Sequence, residues 1–420
     1  MIETIILKNG LTIVMEPITS VRSVSFGIWV KNGSRNESPD TNGISHFIEH
    51  MLFKGTSRRS AKDIADEIDE IGGQINAYTS KELTCYYTRT LDTHFDTALD
   101  VLADMFFNSK FDDTEIKKEC NVILEEINMY EDTPEDQVYD ILQAEGWKNN
   151  PLGFSVLGSE KTISTFNNKT FRSYFDSNYR PEKTVIAIAG SFEPQETVKK
   201  IETYFGGFSS LNTNPVPDFK TIYTPAFIKK EKDIEQMHLC FGFPGLPVGS
   251  ERAYVLACLN TVFGGGMSSR LFQKIREEKG LVYSIYSYNA GFVDTGIFTI
   301  YAAMNPKQVE KAISLIINEI KSLHTDRISE EYLKNTKEQL KSNLLLSLES
   351  SSSRMSSLGR AQLLLNRVIS PDELIQKIDA ITIEKIYEVI GSVFDLGSIS
   401  VSAVGKIKGM NFHKLLDNAR

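Results

Sequence analysis

Gly43-Ile44-Ser45-His46-Phe47-Ile48-Glu49-His50-Met51-Leu52-Phe53-Lys54-Gly55-Thr56 is the stretch from which the rest of the chain is read. Taken as a helix, it sets His46 and His50 one turn apart on one face, so both imidazoles can point at a single ion. Glu49 stands beside them, near enough to take a proton from water held there. Ile44, Phe47, Ile48, Met51, Leu52 and Phe53 fill the remaining faces, so the helix is apolar almost all round and belongs in a core. An unpaired buried carboxylate costs several kcal/mol or takes up a proton; a divalent cation satisfies all three polar groups together. The plainer alternative has two core histidines bonded to backbone and Glu49 bonded to a lysine.

Zinc held this way takes a third protein ligand and leaves one position for water. The segment from about 113 to 130 reads as a helix and offers Glu115, Glu119, Glu125 and Glu126. At 100° per residue, Ile116, Cys120, Ile123, Leu124 and Ile127 form an apolar stripe. Glu119 and Glu126 lie on its border, seven residues apart and nearly superposed, while Glu125 falls on the polar side with Lys118 and Asn121. Helical phase therefore leaves Glu119 and Glu126 both open.

The order H-x-x-E-H is that of the inverzincins. With the acidic helix behind it, the chain resembles the pitrilysin-like M16 metallopeptidases over nearly its whole length. Within them it is most similar to the short-subunit branch of bacterial processing-type proteases and the mitochondrial processing peptidase. The resemblance implies Glu126 as the third zinc ligand and Glu119 as the glutamate that supports the site from behind. It also implies that the strand matching Asn76, Ala77 and Tyr78 pairs with an extended peptide, an instance of β-augmentation.

Outward from the histidine helix, Ile5-Ile6-Leu7 and Leu11-Thr12-Ile13-Val14 flank Asn9-Gly10 as a hairpin. Strands are expected at 23–30, 84–89 and 184–190, and an amphipathic helix at 60–71 closed by Gly72-Gly73. Residues 209–217, polar and containing Pro215 and Pro217, read as a linker near the midpoint. This divides the chain into a zinc-binding domain at 1–212, a linker at 213–217 and a second domain at 218–420.

The second half repeats the order of the first: a strand at 237–243, a loop and an apolar helix at 253–263, without H-x-x-E-H. It carries instead Gly264-Gly265-Gly266 and the run from Gln273 to Ser284, in which no phosphate-binding pattern is present. The resemblance implies that Arg276 and Tyr283 contact the substrate carbonyl and help stabilise an oxyanion; a guanidinium and a phenol are suitable donors for that charge. Long helices follow at 306–325 and 329–349, and Ser350 to Ser357 reads as a serine-rich turn region. His94, His238, His324 and His413 lack metal-like spacing and are read as structural or solvated.

At 420 residues the chain exceeds one ordinary domain, and its 41% hydrophobic and 24% charged content is that of a folded globular protein. The net charge of -9, with no basic block, argues against a nucleic-acid partner. No run is long and apolar enough for a membrane span, and the start of the chain shows no signal peptide. Cys85, Cys120, Cys240 and Cys258 are scattered, fitting reduced thiols in a cytoplasm.

The expected fold is α+β: two homologous α/β domains, each a mostly antiparallel sheet covered by helices, of the type found in the mitochondrial processing peptidase. The implied function is a zinc-dependent endopeptidase with one Zn²⁺ per chain, acting on unfolded polypeptide inside a clamshell homodimer. Cobalt or manganese would also suit a His₂Glu site. A non-catalytic assembly subunit is the alternative, against which the complete ligand set counts. A metal-dependent amidase or esterase for small molecules would not need the repeated architecture.

Overall fold

Alternation of apolar and polar residues in short β-branched runs gives strands, and in this chain the strands assemble into two sheets of nearly the same topology. The computed structural model describes residues 2–209, 221–412 and 414. The linker expected at 213–217 lies outside the described residues, as does His413.

The first sheet is built from β1 (Glu3–Ile6), β2 (Thr12–Pro17), β3 (Ser23–Val30), β4 (Gln74–Thr79), β5 (Thr84–Leu91) and β6 (Thr184–Gly190), in the order β1-β2-β6-β3-β5-β4. The β2 and β6 strands run parallel; every other neighbouring pair is antiparallel. β4 is an edge. Across the central pair Phe26 stands opposite Ile188 and Ile28 opposite Ile186. Val24, Phe26 and Ile28 point to one face and there join Phe47, Met51, Leu102 and Phe106 in a buried core.

The second sheet comprises β7 (Phe227–Glu231), β8 (Met237–Pro244), β9 (Ser284–Gly291), β10 (Gly296–Met304) and β11 (Ser400–Gly405), ordered β7-β11-β8-β10-β9. Here β7 and β11 are parallel and the other pairs antiparallel. Strand for strand this is the first sheet without β1, so the repeat read from the order of elements is present in the topology.

Five helices of the first half matter below: α1 (Ile44–Leu52), α2 (Ala61–Glu70), α3 (Phe95–Asn108), α4 (Asp113–Asp132) and α5 (Pro134–Gly146). The two compact units are not the contiguous halves expected from the sequence. One comprises Met1–Asn128, Phe154–Phe219 and Leu346–Ile369; the other comprises Met129–Gly153, Lys220–Leu345 and Ser370–Arg420. The physical reason is an exchange of helices. α5, from the first half, covers one face of the second sheet through Val138 and Leu142, packed with Cys240, Tyr301 and Val404. The helix Ser351–Leu365, from the second half, covers the first sheet against β2, β3 and β6.

That helix replaces the serine-rich turn expected at 350–357. Its sheet-facing side is made of small and flexible residues, which is why its apolar signal is weak. Ser351 and Ser352 hydroxyls bond Ser25 Oγ at 3.0 Å, and Trp29 Nε1 donates to Met355 Sδ at 3.4 Å. Gly359 lies so close to the Trp29 indole that an added Cβ would come within 2.3 Å of Nε1.

Candidate metal centre

α1 begins where a loop turns sharply at Gly43, whose φ of +94° favours glycine, and where Gly43 meets the backbone of Gly158. The start of the helix is held by Glu37. Its buried carboxylate accepts from the Gly43 N–H at 2.7 Å, the Ser45 N–H at 2.9 Å and Asn42 Nδ2 at 2.9 Å. Burial pushes the Glu37 carboxyl upward, against these bonds that favour the charged form. Asn32 donates to Ser45 Oγ at 3.0 Å and the Tyr174 hydroxyl donates to Asn32 Oδ1 at 3.1 Å, completing the clamp.

From that fixed start, Phe47, Ile48, Met51 and Leu52 are buried in the core, which turns His46, Glu49 and His50 toward β4 and α4. The two Nε2 atoms face each other at 3.2 Å, and Glu126 Oε2 lies 3.7 Å from each. Ligand-capable atoms of these three residues all fall within 4.8 Å of one another. Tetrahedral zinc with bonds of about 2.0–2.1 Å spaces its ligand atoms by roughly 3.3 Å, so these three donors match its size.

The protonation of the site also suits a cation. His50 Nδ1 donates to Glu119 Oε1 at 2.8 Å, which directs the Nε2 lone pair toward Glu126 and His46. Lys54 holds the other Glu119 oxygen at 2.6 Å. Burial opposes ionisation of Glu119, but the bonds from His50 and Lys54 outweigh it and keep the carboxyl below its usual range. His46 is lowered to about 3, by burial first and by the facing His50 second, so it is a neutral imidazole at neutral pH. Among the described residues, its Nδ1 is buried with no hydrogen-bond partner.

Glu49 accepts a 2.5 Å bond from the Thr79 hydroxyl at the end of β4. Burial raises its carboxyl pKa; Thr79 and His50 pull it down less than burial pushes, and Glu126 adds to the rise. A carboxylate with this upward bias is better matched to proton transfer near neutrality than a solvated one.

The site residues expected from sequence thus divide by unit. His46, Glu49, His50, Glu119 and Glu126 come together in the first unit, and Glu125 is exposed. Asn76, Ala77 and Tyr78 occupy the edge strand, whose Thr79 reaches Glu49. Arg276 and Tyr283 belong to the second unit. Arg276 lies over the Phe272 ring at 4.5 Å, and Tyr283 is 73% exposed with its backbone N–H on Ala303 O at 2.8 Å. His238 bonds the Tyr301 hydroxyl at 2.8 Å and His324 the Phe394 carbonyl at 3.1 Å, so both have structural partners. Sequence reading missed Glu37 and Thr79; an acid six residues before a glycine helix cap was the only signal for the former.

The sequence matches the family described as Insulinase (Peptidase family M16) over residues 12–160 and that described as Peptidase M16 inactive domain over 165–340. It is similar to the uncharacterized zinc protease YmxG of Bacillus subtilis, 47% identical over 386 residues covering 92% of this chain and 94% of that protein. An uncharacterized zinc protease of Rickettsia felis is 40% identical over 399 residues, covering 95% and 96%. In fold, the chain resembles the crystal structure of a protease from Helicobacter pylori, with a TM-score of 0.90 and 22% identity over 96% of this chain and 99% of that one. Two consecutive family matches spanning most of the sequence, with relatives alike from end to end, make the assignment plain: the chain belongs to peptidase family M16.

Proposed function

We propose that this protein is a zinc-dependent endopeptidase that hydrolyses unfolded polypeptide, with His46, His50 and Glu126 as the metal ligands and Glu49 as the general base. The observation that carries the proposal is the three-donor cluster of matched size with a raised carboxyl beside it. The names of the relatives, zinc proteases, support the choice of metal and reaction.

When bound, zinc supplies a Lewis acid that polarises the peptide carbonyl and lowers the pKa of water toward 7. Glu49 takes the proton of the attacking water, held in place by Thr79, and passes it to the leaving amine. Glu119 fixes the ring orientation and proton of His50.

The substrate is positioned as an added strand on β4. The pair Ser80 and Leu83 closes the β4–β5 turn, and from it the alternation of antiparallel pairing leaves the backbone of Ile75, Ala77 and Thr79 facing the open edge. The Ala77 N–H is meanwhile capped by Asn76 Oδ1 at 2.8 Å, a bond a peptide carbonyl would replace. Arg276 and Tyr283 serve as oxyanion donors supplied by the second half of a facing copy, so the active form is a homodimer enclosing a chamber. Neither residue is engaged in an ion pair among the described residues, which leaves their donors available. Four free cysteines fit a cytoplasmic setting, and no helix of the described residues is long and apolar enough to cross a membrane.

Hydrolysis of a quenched, unstructured peptide of about twenty residues tests the reading. Cleavage is expected to stop with a chelator and return with zinc. Glu49→Gln is expected to keep its zinc and lose at least a hundredfold in kcat; a Glu49→Gln protein cutting at the wild-type rate would overturn the assignment.

A further inference from the structure

A strand added to β4 places successive side chains on opposite faces of the sheet. One face is that of Thr79 and Glu49, where the metal ligands lie. The other face, away from them, carries Tyr78, Asn76 and Gln74 of β4, paired with Cys85, Tyr87 and Arg89 of β5. The helix Ser351–Leu365 packs on this same face.

The contacts here form a chain. Met355 and Gly359 press on Trp29, and the Trp29 ring meets Tyr78 edge-on at 6.0 Å. Arg360 follows Gly359 and is exposed. Its positive charge reaches Tyr78, favouring the phenolate against the burial that otherwise raises that hydroxyl. Tyr78 itself is 38% exposed at the open edge, so the phenol and the guanidinium are both accessible to an incoming strand.

Charge on this face leans positive, with Glu16 of β2 its one carboxylate among the strands the helix covers. The strands SVSFGIWV, QINAYT and TCYYTRTL and the helix SSSRMSSLGRAQLLL contain three arginines and no aspartate or glutamate. Arg354 is paired with Glu16 at 2.5 Å. Among the described residues, Arg89 and Arg360 have no ion-pair partner. A locally cationic face in a chain of net charge -9 marks a place where an anionic group is wanted.

We propose that Arg360, with Tyr78, forms a substrate subsite that selects an aspartate or glutamate in the bound peptide. The selected residue is the one opposite Tyr78, one position from the residue that faces Thr79. The carboxylate pairs with the guanidinium, and its methylene stem lies on the Tyr78 ring. This inference rests on the peptidase reading and on β4 as the strand that receives the peptide.

The test uses the zinc-loaded full-length protein and quenched peptides with a single cleaved bond and otherwise neutral sequence. Each position around that bond carries Glu, Gln or Lys in turn. At low salt, one position is expected to favour Glu over Gln by about fivefold in kcat/KM, mostly through KM, the size of a favourable exposed ion pair. The preference fades in molar salt. Arg360→Gln is expected to abolish it and Arg360→Glu to turn it toward Lys, and the same order is expected in peptide affinities measured on the Glu49→Gln protein. The same Glu, Gln and Lys profile in all three proteins would overturn the inference while leaving the peptidase reading intact. Loss of the preference in Arg89→Gln but not in Arg360→Gln would overturn it as well. A zinc-loaded wild type that cuts none of the peptides defeats the peptidase reading, and the subsite falls with it.

Discussion

Glu119 and Glu126 sit two helical turns apart on α4, and their roles separate only at the level of single atoms. Glu126 offers an oxygen to the two facing Nε2 atoms, while Glu119 meets His50 from behind at Nδ1. Glu119→Gln keeps the volume but loses the negative charge that His50 and Lys54 share. Zinc affinity, measured by competition with a chromophoric chelator, is expected to fall by about 10–100-fold with little change in folding stability. An unchanged affinity would remove Glu119 from the site. The histidine pair and Glu49 were legible in the sequence because their spacing and their chemistry point the same way. The choice between Glu119 and Glu126 was not legible in helical phase and came from the family resemblance alone, since a seven-residue separation brings a helix back to nearly the same angle and only the partner across the gap distinguishes them. Glu37 was illegible for another reason: its bonds to Gly43 and Ser45 depend on the path of an irregular loop, which no periodicity encodes.

Among elements, the helix Ser351–Leu365 shows most clearly what pattern reading overlooks. Serines and a glycine suggest a turn when taken alone, yet here they let the helix approach the sheet closely enough for hydroxyls to bond across and for Gly359 to rest on an indole. Close approach, not apolar bulk, is what those residues provide. Gly359→Ala brings two opposed effects. Alanine gains about 1 kcal/mol in helix propensity, but its Cβ would come 2.3 Å from Trp29 Nε1, and a buried indole has no room to swing aside. The clash outweighs the gain in propensity, so urea denaturation is expected to show a net loss of roughly 1–3 kcal/mol; a stabilised variant would contradict the packing described. By contrast, β2, β3, β5 and β6 of the first sheet and β8 of the second were readable from short apolar and β-branched runs, because one face or both of each is committed to a core; β7, β9, β10 and β11 were not read.

On the scale of the molecule, the repeated sheets were anticipated from the matching order of strand, loop and helix in the two halves. The exchange of helices between them was not, because it is a matter of which sheet a helix covers, and helical periodicity names a buried face without naming what lies against it. The exchange makes a specific demand on any attempt to divide the chain. A fragment of residues 1–212 retains every residue of the candidate metal centre but lacks Leu346–Ile369, leaving Trp29 and the neighbouring strand face bare. Such a fragment is expected to aggregate or to show no near-ultraviolet circular dichroism, with zinc retention well below that of the whole protein. A soluble monomer binding zinc as tightly as the full chain would show that the borrowed helix is dispensable.

The same exchange bears on how the protein comes into being at the ribosome. The histidines leave the exit tunnel early, yet the sheet behind them stays uncovered until residues 346–369 have emerged, when at least about nine-tenths of the chain has been made. Through most of translation the nascent polypeptide therefore carries its ligands on an unfinished scaffold. Completion of the scaffold behind the histidine pair is thereby deferred almost to the moment of release.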